Sequence, residues 1–329
     1  MLFLKNENLT LKNIQNFHKT ILLINQNSSK FRLWLSAARL RTLPLSISGV
    51  FVGSFASLNT NNFNLSIFFL AIATTISYQV LSNFANDYGD GVKGTDLNRV
   101  GPKRAVQSGL ISSKEMRKGI IISSIISCFL TSSLVFFSFK NSPFYLLLFL
   151  ILGLLSIVAA IKYTVGNNPY GYSGFGDFFV FIFFGITSVL GSNFLFTATL
   201  DLTLLYPAIT IGFLSVGVLN LNNMRDIQND KLVDKKTMTV RMGLTNSKVY
   251  HFILISISIV SMIIFLSKEK KYSLVLIVLV IVIITRLIFD LYKVYKVNDP
   301  KKYDLFLKPL VLVIFFYSIT LSMNFAYLL

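Results

Sequence analysis

Two short stretches concentrate the oxygen-donor chemistry of this chain. The first, Asn86-Asp87-Tyr88-Gly89-Asp90-Gly91-Val92-Lys93-Gly94-Thr95-Asp96, places three aspartates at the end of a long apolar run. The second, Asn222-Asn223-Met224-Arg225-Asp226-Ile227-Gln228-Asn229-Asp230, stands in a matching position later on. The chain has only 14 acidic residues, and half of them (Asp87, Asp90, Asp96, Glu115, Asp226, Asp230 and Asp234) fall in the two long loops, about 86–118 and 222–248, that contain these stretches. Asn86 and Asp90 are four apart, as are Asp226 and Asp230, so on a helix end each pair shares a face. Like charges so placed repel unless a cation lies between them. Carboxylate and amide oxygens with no His or Cys nearby suit a hard cation, and Mg²⁺ typically takes one or two carboxylates plus substrate phosphates. Basic residues stand alongside: Lys93, Arg99, Lys103 and Arg104 in the first region, Arg225, Lys231, Lys235, Lys236 and Arg241 in the second. Carboxylates that hold a metal, beside cations that hold phosphate oxygens, make a diphosphate clamp. Lys103, Arg104 and Arg225 lie nearest the acidic motifs.

The elements that must position these residues are membrane helices. The chain is 53% hydrophobic and only 14% charged, against about 25% charged in soluble domains. Nine apolar runs approach or reach the ~17–25 residues a spanning helix needs: Leu43–Leu58, Leu65–Ala85, Gly119–Phe139, Pro143–Ile161, Gly176–Ala198, Leu202–Leu219, Val249–Ser267, Tyr272–Tyr292 and Leu305–Leu328. None alternates as a barrel strand would, so the expected fold is all-α, with a transmembrane domain over 34–329 and a tail over 1–33. Of the 31 Lys and Arg, all but Lys140, Lys268, Lys270 and Lys271 fall on one side of such a nine-span layout. The positive-inside rule then puts the N-terminus and both long loops, about 86–118 and 222–248, in the cytoplasm. Each of those loops follows an even-numbered span, the second and the sixth, which suggests two four-helix halves and a ninth helix. Gly89, Gly91 and Gly94 are expected to bend the first loop.

A third segment on the same side, Lys162-Tyr163-Thr164-Val165-Gly166-Asn167-Asn168-Pro169-Tyr170-Gly171-Tyr172-Ser173-Gly174-Phe175-Gly176-Asp177, is rich in Tyr and Asn. Its tyrosines read either as interfacial anchors or as a ring suited to an aromatic substrate or a cationic intermediate. Asp177 reads as a helix cap or, with Asp87, as a candidate catalytic base. Several classes are excluded. No basic helix or stacking motif points to nucleic acid, the lone Cys128 gives no disulfide or thiolate site, and no Walker A pattern indicates nucleotide hydrolysis. A divalent-cation transporter stays open as a different class, but it should carry carboxylates at mid-membrane on several helices.

The chain resembles the UbiA-type intramembrane aromatic prenyltransferases, and within them the branch that uses 1,4-dihydroxy-2-naphthoate in menaquinone synthesis. Four stretches carry the resemblance: Arg41-Thr42-Leu43-Pro44; the first acidic motif continuing into Gly101-Pro102-Lys103-Arg104-Ala105-Val106-Gln107-Ser108-Gly109; Tyr163 to Tyr172; and the second acidic motif with Lys236-Thr237 and Arg241-Met242-Gly243. One departure from the wider superfamily points to this branch: Gly94 stands where many members have a third carboxylate, and Asp96 follows instead. The resemblance implies helices around a central cavity open to the cytoplasm of a bacterial inner-membrane protein. It implies Mg²⁺ held by Asn86, Asp90, Asp96, Asn222, Asp226 and Asp230, with Lys93, Lys103, Arg104, Arg225 and Lys236 neutralising the diphosphate and Tyr163, Asn167 and Tyr170 near the substrates. The implied reaction moves a polyprenyl group from polyprenyl diphosphate to dihydroxynaphthoate with loss of CO₂. Another aromatic acceptor is the alternative within the family.

Overall fold

A computed structural model describes residues 30–94, 104–268 and 273–327, and these residues are helical apart from short connections, with no strand among them. Inside lipid a backbone must satisfy its own hydrogen bonds, and helices do so locally. Helix α1 (30–38) turns through Leu40–Thr42 into α2 (Leu43–Ala56). Next come α3 (Leu65–Lys93), α4 (Ser113–Phe139), α5 (Pro143–Lys162) and α6 (Gly176–Thr197). The chain ends with α7 (Leu205–Leu232), α8 (Met238–Lys268), α9 (Leu274–Lys296) and α10 (Asp304–Tyr327). Among the described residues nine segments are long and apolar enough to cross a membrane. The expected tail over 1–33 lies outside the described residues up to 29, and residues 30–33 belong to α1.

The helix ends follow local chemistry. Asn64 accepts the Ser66 and Ile67 N–H groups to start α3, and Ser112 with Glu115 forms a capping box on α4. Pro143 occupies the first turn of α5, where its missing N–H costs nothing. Pro44 does the same for α2, which runs unbroken past Gly49 and Gly53.

One expectation changes. The second and sixth spans do not stop near Ala85 and Leu219; α3 continues to Lys93 and α7 to Leu232, so both acidic motifs lie on the last turns of helices rather than in loops. Only Gly94 leaves the helix, at φ 69°, the left-handed conformation that closes α3. Gly89 stays helical, and its role is close approach: a Cβ there would sit 2.7 Å from the Thr164 carbonyl oxygen. The chain therefore brings the 163–175 segment directly onto the first motif.

Helix α7 is the buried axis of the bundle. Its Ile211, Leu214 and Met224 are fully enclosed, in one apolar cluster with residues of α2, α8, α9 and α10. Small residues let α6 and α7 cross tightly, since a Cβ on Gly185 would lie 2.7 Å from Gly212 Cα. Helix α5 is the opposite case: it exposes Phe144, Leu147, Ile151, Leu154 and Val158 to its surroundings. Half of α6, Phe181–Gly191, is wound as a wider π-helix, a form that often marks functional sites.

Candidate active site

A cavity of about 380 Å³ runs along the bundle among α2, α3, α4, α5 and α6. Its far end is closed by apolar side chains such as Leu134, Phe149 and Leu195, and Asn86, Tyr163 and Tyr170 form its lip at the motif-bearing end. Phe149 at that end packs against Phe139 and Phe194, with ring centroids 4.8 and 5.4 Å away. Between these ends the wall is mostly apolar, with hydroxyls such as Thr74, Tyr78 and Ser188 set into it.

The first motif is built on the last two turns of α3. Asn86 accepts the Thr164 hydroxyl at 3.1 Å, and that hydroxyl also donates to the Ala85 carbonyl. Asp90 is 2% exposed. It accepts the Tyr172 hydroxyl at 2.5 Å and faces the Arg104 guanidinium at 3.3 Å. Lys93 donates to the Thr164 carbonyl and lies over the Tyr172 ring, 4.4 Å from its centre. Asp87, expected as a candidate base, is engaged differently: its two oxygens accept the backbone N–H groups of Ala105 and Val106 at 3.1 and 3.0 Å. It fastens the returning chain to α3, and neither oxygen is turned to the cavity. Asp96 and Lys103 lie outside the described residues.

The second motif occupies the last turns of α7. Arg225 Nε and Nη2 grip the two oxygens of Asp226 at 2.8 and 2.7 Å. The same guanidinium donates to Asn222 at 2.7 Å and to Asp304, on α10, at 2.5 Å. Arg225 was expected on the diphosphate, yet its donors serve these three groups, and with Asp226 it lines a separate cavity of about 150 Å³. Asp230 is 4% exposed, and its carbonyl receives the Lys235 N–H at 2.9 Å. The Lys236 side chain is exposed and reaches Asp234 at 3.6 Å.

Tyr172 joins the first motif to the segment that follows the second. Its hydroxyl holds Asp90, its ring lies under Lys93 and also under Lys235 at 4.9 Å, and its carbonyl accepts the Lys236 N–H at 2.9 Å. Arg241 adds a bond to the Ser173 carbonyl. Tyr163 stands between the motifs as well. Its hydroxyl is pushed to higher pKa by burial first and then by the charges of Asp177, Asp90 and Asp230. Tyr170, 5.3 Å from it ring to ring, donates to the Ala159 carbonyl; burial raises its pKa too. Asn167, expected at the substrate, is exposed and does not line the cavity. Asp177 opens α6 and accepts the Tyr250 hydroxyl at 2.9 Å.

The donor set is all oxygen, from buried carboxylates and half-buried amides, and that is the chemistry of Mg²⁺ rather than of a soft metal. Among the described residues no three acidic, histidine or cysteine side chains converge on one point. The fit is therefore to an ion that takes one or two carboxylates here and completes its shell with substrate oxygens.

Sequence reasoning passed over Tyr172 and Asp304. Tyr172 had a signal, since it sits in the same Tyr-Gly-Tyr run as Tyr170. Asp304 had none, because only the packing of α10 against α7 brings it to the motif.

A sequence model of the UbiA prenyltransferase family matches residues 46–320. The 1,4-dihydroxy-2-naphthoate octaprenyltransferase of Haemophilus influenzae is 44% identical over 234 residues, 70% of this chain and 76% of that protein. The enzyme of the same name from Escherichia coli is 43% identical over 241 residues, 73% of this chain and 78% of its own. Among solved structures, a UbiA homologue from Archaeoglobus fulgidus bound to DMAPP and Mg²⁺ superposes with a TM-score of 0.65 at 14% identity, covering 90% of this chain and 99% of that one. A homologue from Aeropyrum pernix gives 0.62 at 15% identity, over 83% and 96%. These two likenesses concern the fold.

Proposed function

The chain belongs to the UbiA prenyltransferase family and is an integral membrane enzyme, and we propose that it transfers a polyprenyl group from polyprenyl diphosphate to 1,4-dihydroxy-2-naphthoate, releasing CO₂ and diphosphate. The observation that carries this reading is Tyr172, whose hydroxyl holds Asp90 of the first motif and whose carbonyl takes the Lys236 N–H of the segment that follows the second, beside an apolar cavity with Asn86 at its lip. The named relatives support the choice of acceptor.

The prenyl chain lies in the apolar cavity, and its diphosphate meets Asn86, Asp90, Asn222, Asp226 and Asp230, with Asp96 and Lys103 completing the first motif. Mg²⁺, when bound, neutralises charge that develops on the leaving diphosphate. Lys93, Lys235 and Arg104 stand on the same side and add fixed positive charge there. The allylic carbon–oxygen bond breaks, and the electron-rich naphthoate ring supplies the electron pair for the new carbon–carbon bond. Loss of the carboxylate as CO₂ returns its pair to the ring and leaves the reduced form of demethylmenaquinone. Tyr163 and Tyr170 stand at the lip, and aromatic rings there would favour a cationic carbon. The apolar wall keeps water from that carbon. The excess of Lys and Arg at the motif-bearing end orients it to the cytoplasm of a bacterial inner membrane.

A product assay in membranes tests the reading. All-trans polyprenyl diphosphates are supplied with dihydroxynaphthoate or 4-hydroxybenzoate, with Mg²⁺ or chelator, and products are read by mass. The expected outcome is a prenylated, decarboxylated naphthoquinone that requires Mg²⁺. Prenylated hydroxybenzoate instead moves the acceptor and keeps the chemistry. Absence of any prenylated product from folded protein overturns the proposal.

A further inference from the structure

We propose that Asp304 is a positioning residue for the second motif, acting through Arg225 on Asn222 and Asp226. This rests on the reading of Asp226 as an ion-holding carboxylate. The Arg225 side chain is 1% exposed and lies among charged and amide partners only: Asp226 twice, Asn222 once, Asp304 once. A buried guanidinium is costly unless every face of it is paired, and its planar fork then fixes what it grips. The two-point hold on Asp226 sets the plane of that carboxylate. The bond to Asn222 fixes a second candidate donor with the same group.

Arg225 alone cannot hold this arrangement, because all of its bonds to Asn222 and Asp226 are to its own helix. Asp304 supplies the outside anchor. It begins α10 after a rigid turn in which Asp299 caps Lys301 and buried Tyr303 donates to the Val297 carbonyl at 2.8 Å. A carboxylate in the first turn of a helix usually serves that helix's own N–H groups. Asp304, half exposed, instead bonds Arg225 on the neighbouring helix α7. Partners of this kind, one step removed from an ion, typically change metal affinity by about 10–100-fold when removed.

A bond that merely ties α7 to α10 predicts a different result, so the test reads ion binding apart from turnover. Wild type, Asp304→Asn and Asp304→Glu are purified in lipid nanodiscs. Mn²⁺ binding is followed by paramagnetic resonance with pyrophosphate supplied, product formation is titrated with Mg²⁺, and melting is recorded in chelator. Asp304→Asn should weaken Mn²⁺ binding and raise the half-saturating Mg²⁺ by about tenfold, with the maximal rate largely kept at high Mg²⁺ and Asp304→Glu restoring most of the shift. Unchanged ion dependence in Asp304→Asn, even with a lower melting temperature, overturns the positioning role. Wild type that binds Mn²⁺ but makes no prenylated product overturns the reaction and leaves this inference to the resonance data. Wild type that binds no Mn²⁺ overturns both.

Discussion

The two acidic motifs share a spacing and a place at the end of a helix, yet they are held in different ways. At the end of α3, Asp90 is engaged by a tyrosine hydroxyl and by Arg104 at 3.3 Å, both delivered by connecting segments. At the end of α7, Asp226 is gripped at two points by the residue next to it, and that residue is anchored on α10. Connecting segments can shift at modest cost, whereas a buried fork on packed helices shifts only with its neighbours. The first motif is therefore the adaptable jaw of the site, and the second is the fixed one.

The sharpest way to break this comparison is to remove one carboxylate from each jaw. Asp90→Ala and Asp226→Ala should each lower prenyl transfer by about a hundredfold or more, as loss of a group that stabilises developing charge does. Stability should separate them. Asp226→Ala leaves a buried guanidinium short of its main partner, a change that costs about 3–5 kcal/mol in soluble proteins. Asp90→Ala frees a tyrosine hydroxyl and takes from Arg104 a single contact at 3.3 Å rather than a two-point grip, and should cost less. Melting in chelator checks the difference, and equal losses of stability would refute a distinction between fixed and adaptable jaws.

Tyr172 gives a smaller and more selective test. Tyr172→Phe keeps the ring under Lys93 and Lys235 but removes the hydroxyl from Asp90. A hydrogen bond to a charged group is worth about 1.5–3 kcal/mol, so a roughly tenfold or greater loss of kcat/KM is expected, with little change in melting. Tyr172→Ala should lose more, because the ring also spaces the two lysines. If Tyr172→Phe behaves as wild type in steady-state kinetics, the bridge between the jaws is passive.

What the sequence made legible follows from these same forces. Nine spans were readable because lipid imposes length and apolarity on every one of them, and their order fixed which connections share a side. The motif residues were readable because carboxylates are scarce in a chain of this kind. The extension of α3 and α7 through their motifs was not, since polar composition at a helix end looks like a loop until Gly94 is seen at positive φ. The engagement of Asp87 was hidden for a related reason. A buried aspartate that binds two backbone N–H groups and one that awaits a substrate have the same letters around them, and only the return of Ala105 and Val106 onto α3 tells them apart. Asp304 is separated from Arg225 by 79 positions, so its role belongs to packing alone.

The mildest prediction moves away from both jaws to the cavity they guard. Gly153 on α5 faces α4, where a Cβ would meet the Thr131 methyl at 2.4 Å, and the Tyr78 hydroxyl bonds both Thr131 and the Gly153 carbonyl. All three line the cavity midway between the motifs and the aromatic cluster at its far end. A residue larger than glycine at 153 must push Thr131 and Tyr78 and narrow the cavity there. The jaws would be untouched, so Gly153→Ala should leave the Mg²⁺ requirement as it is. Its effect should appear as a several-fold rise in KM that grows with prenyl length, read by supplying diphosphates of two, four and eight isoprene units in parallel. Equal effects on all three lengths would mean that the tail does not pass Gly153, and that the apolar path it takes leaves the cavity nearer the lip.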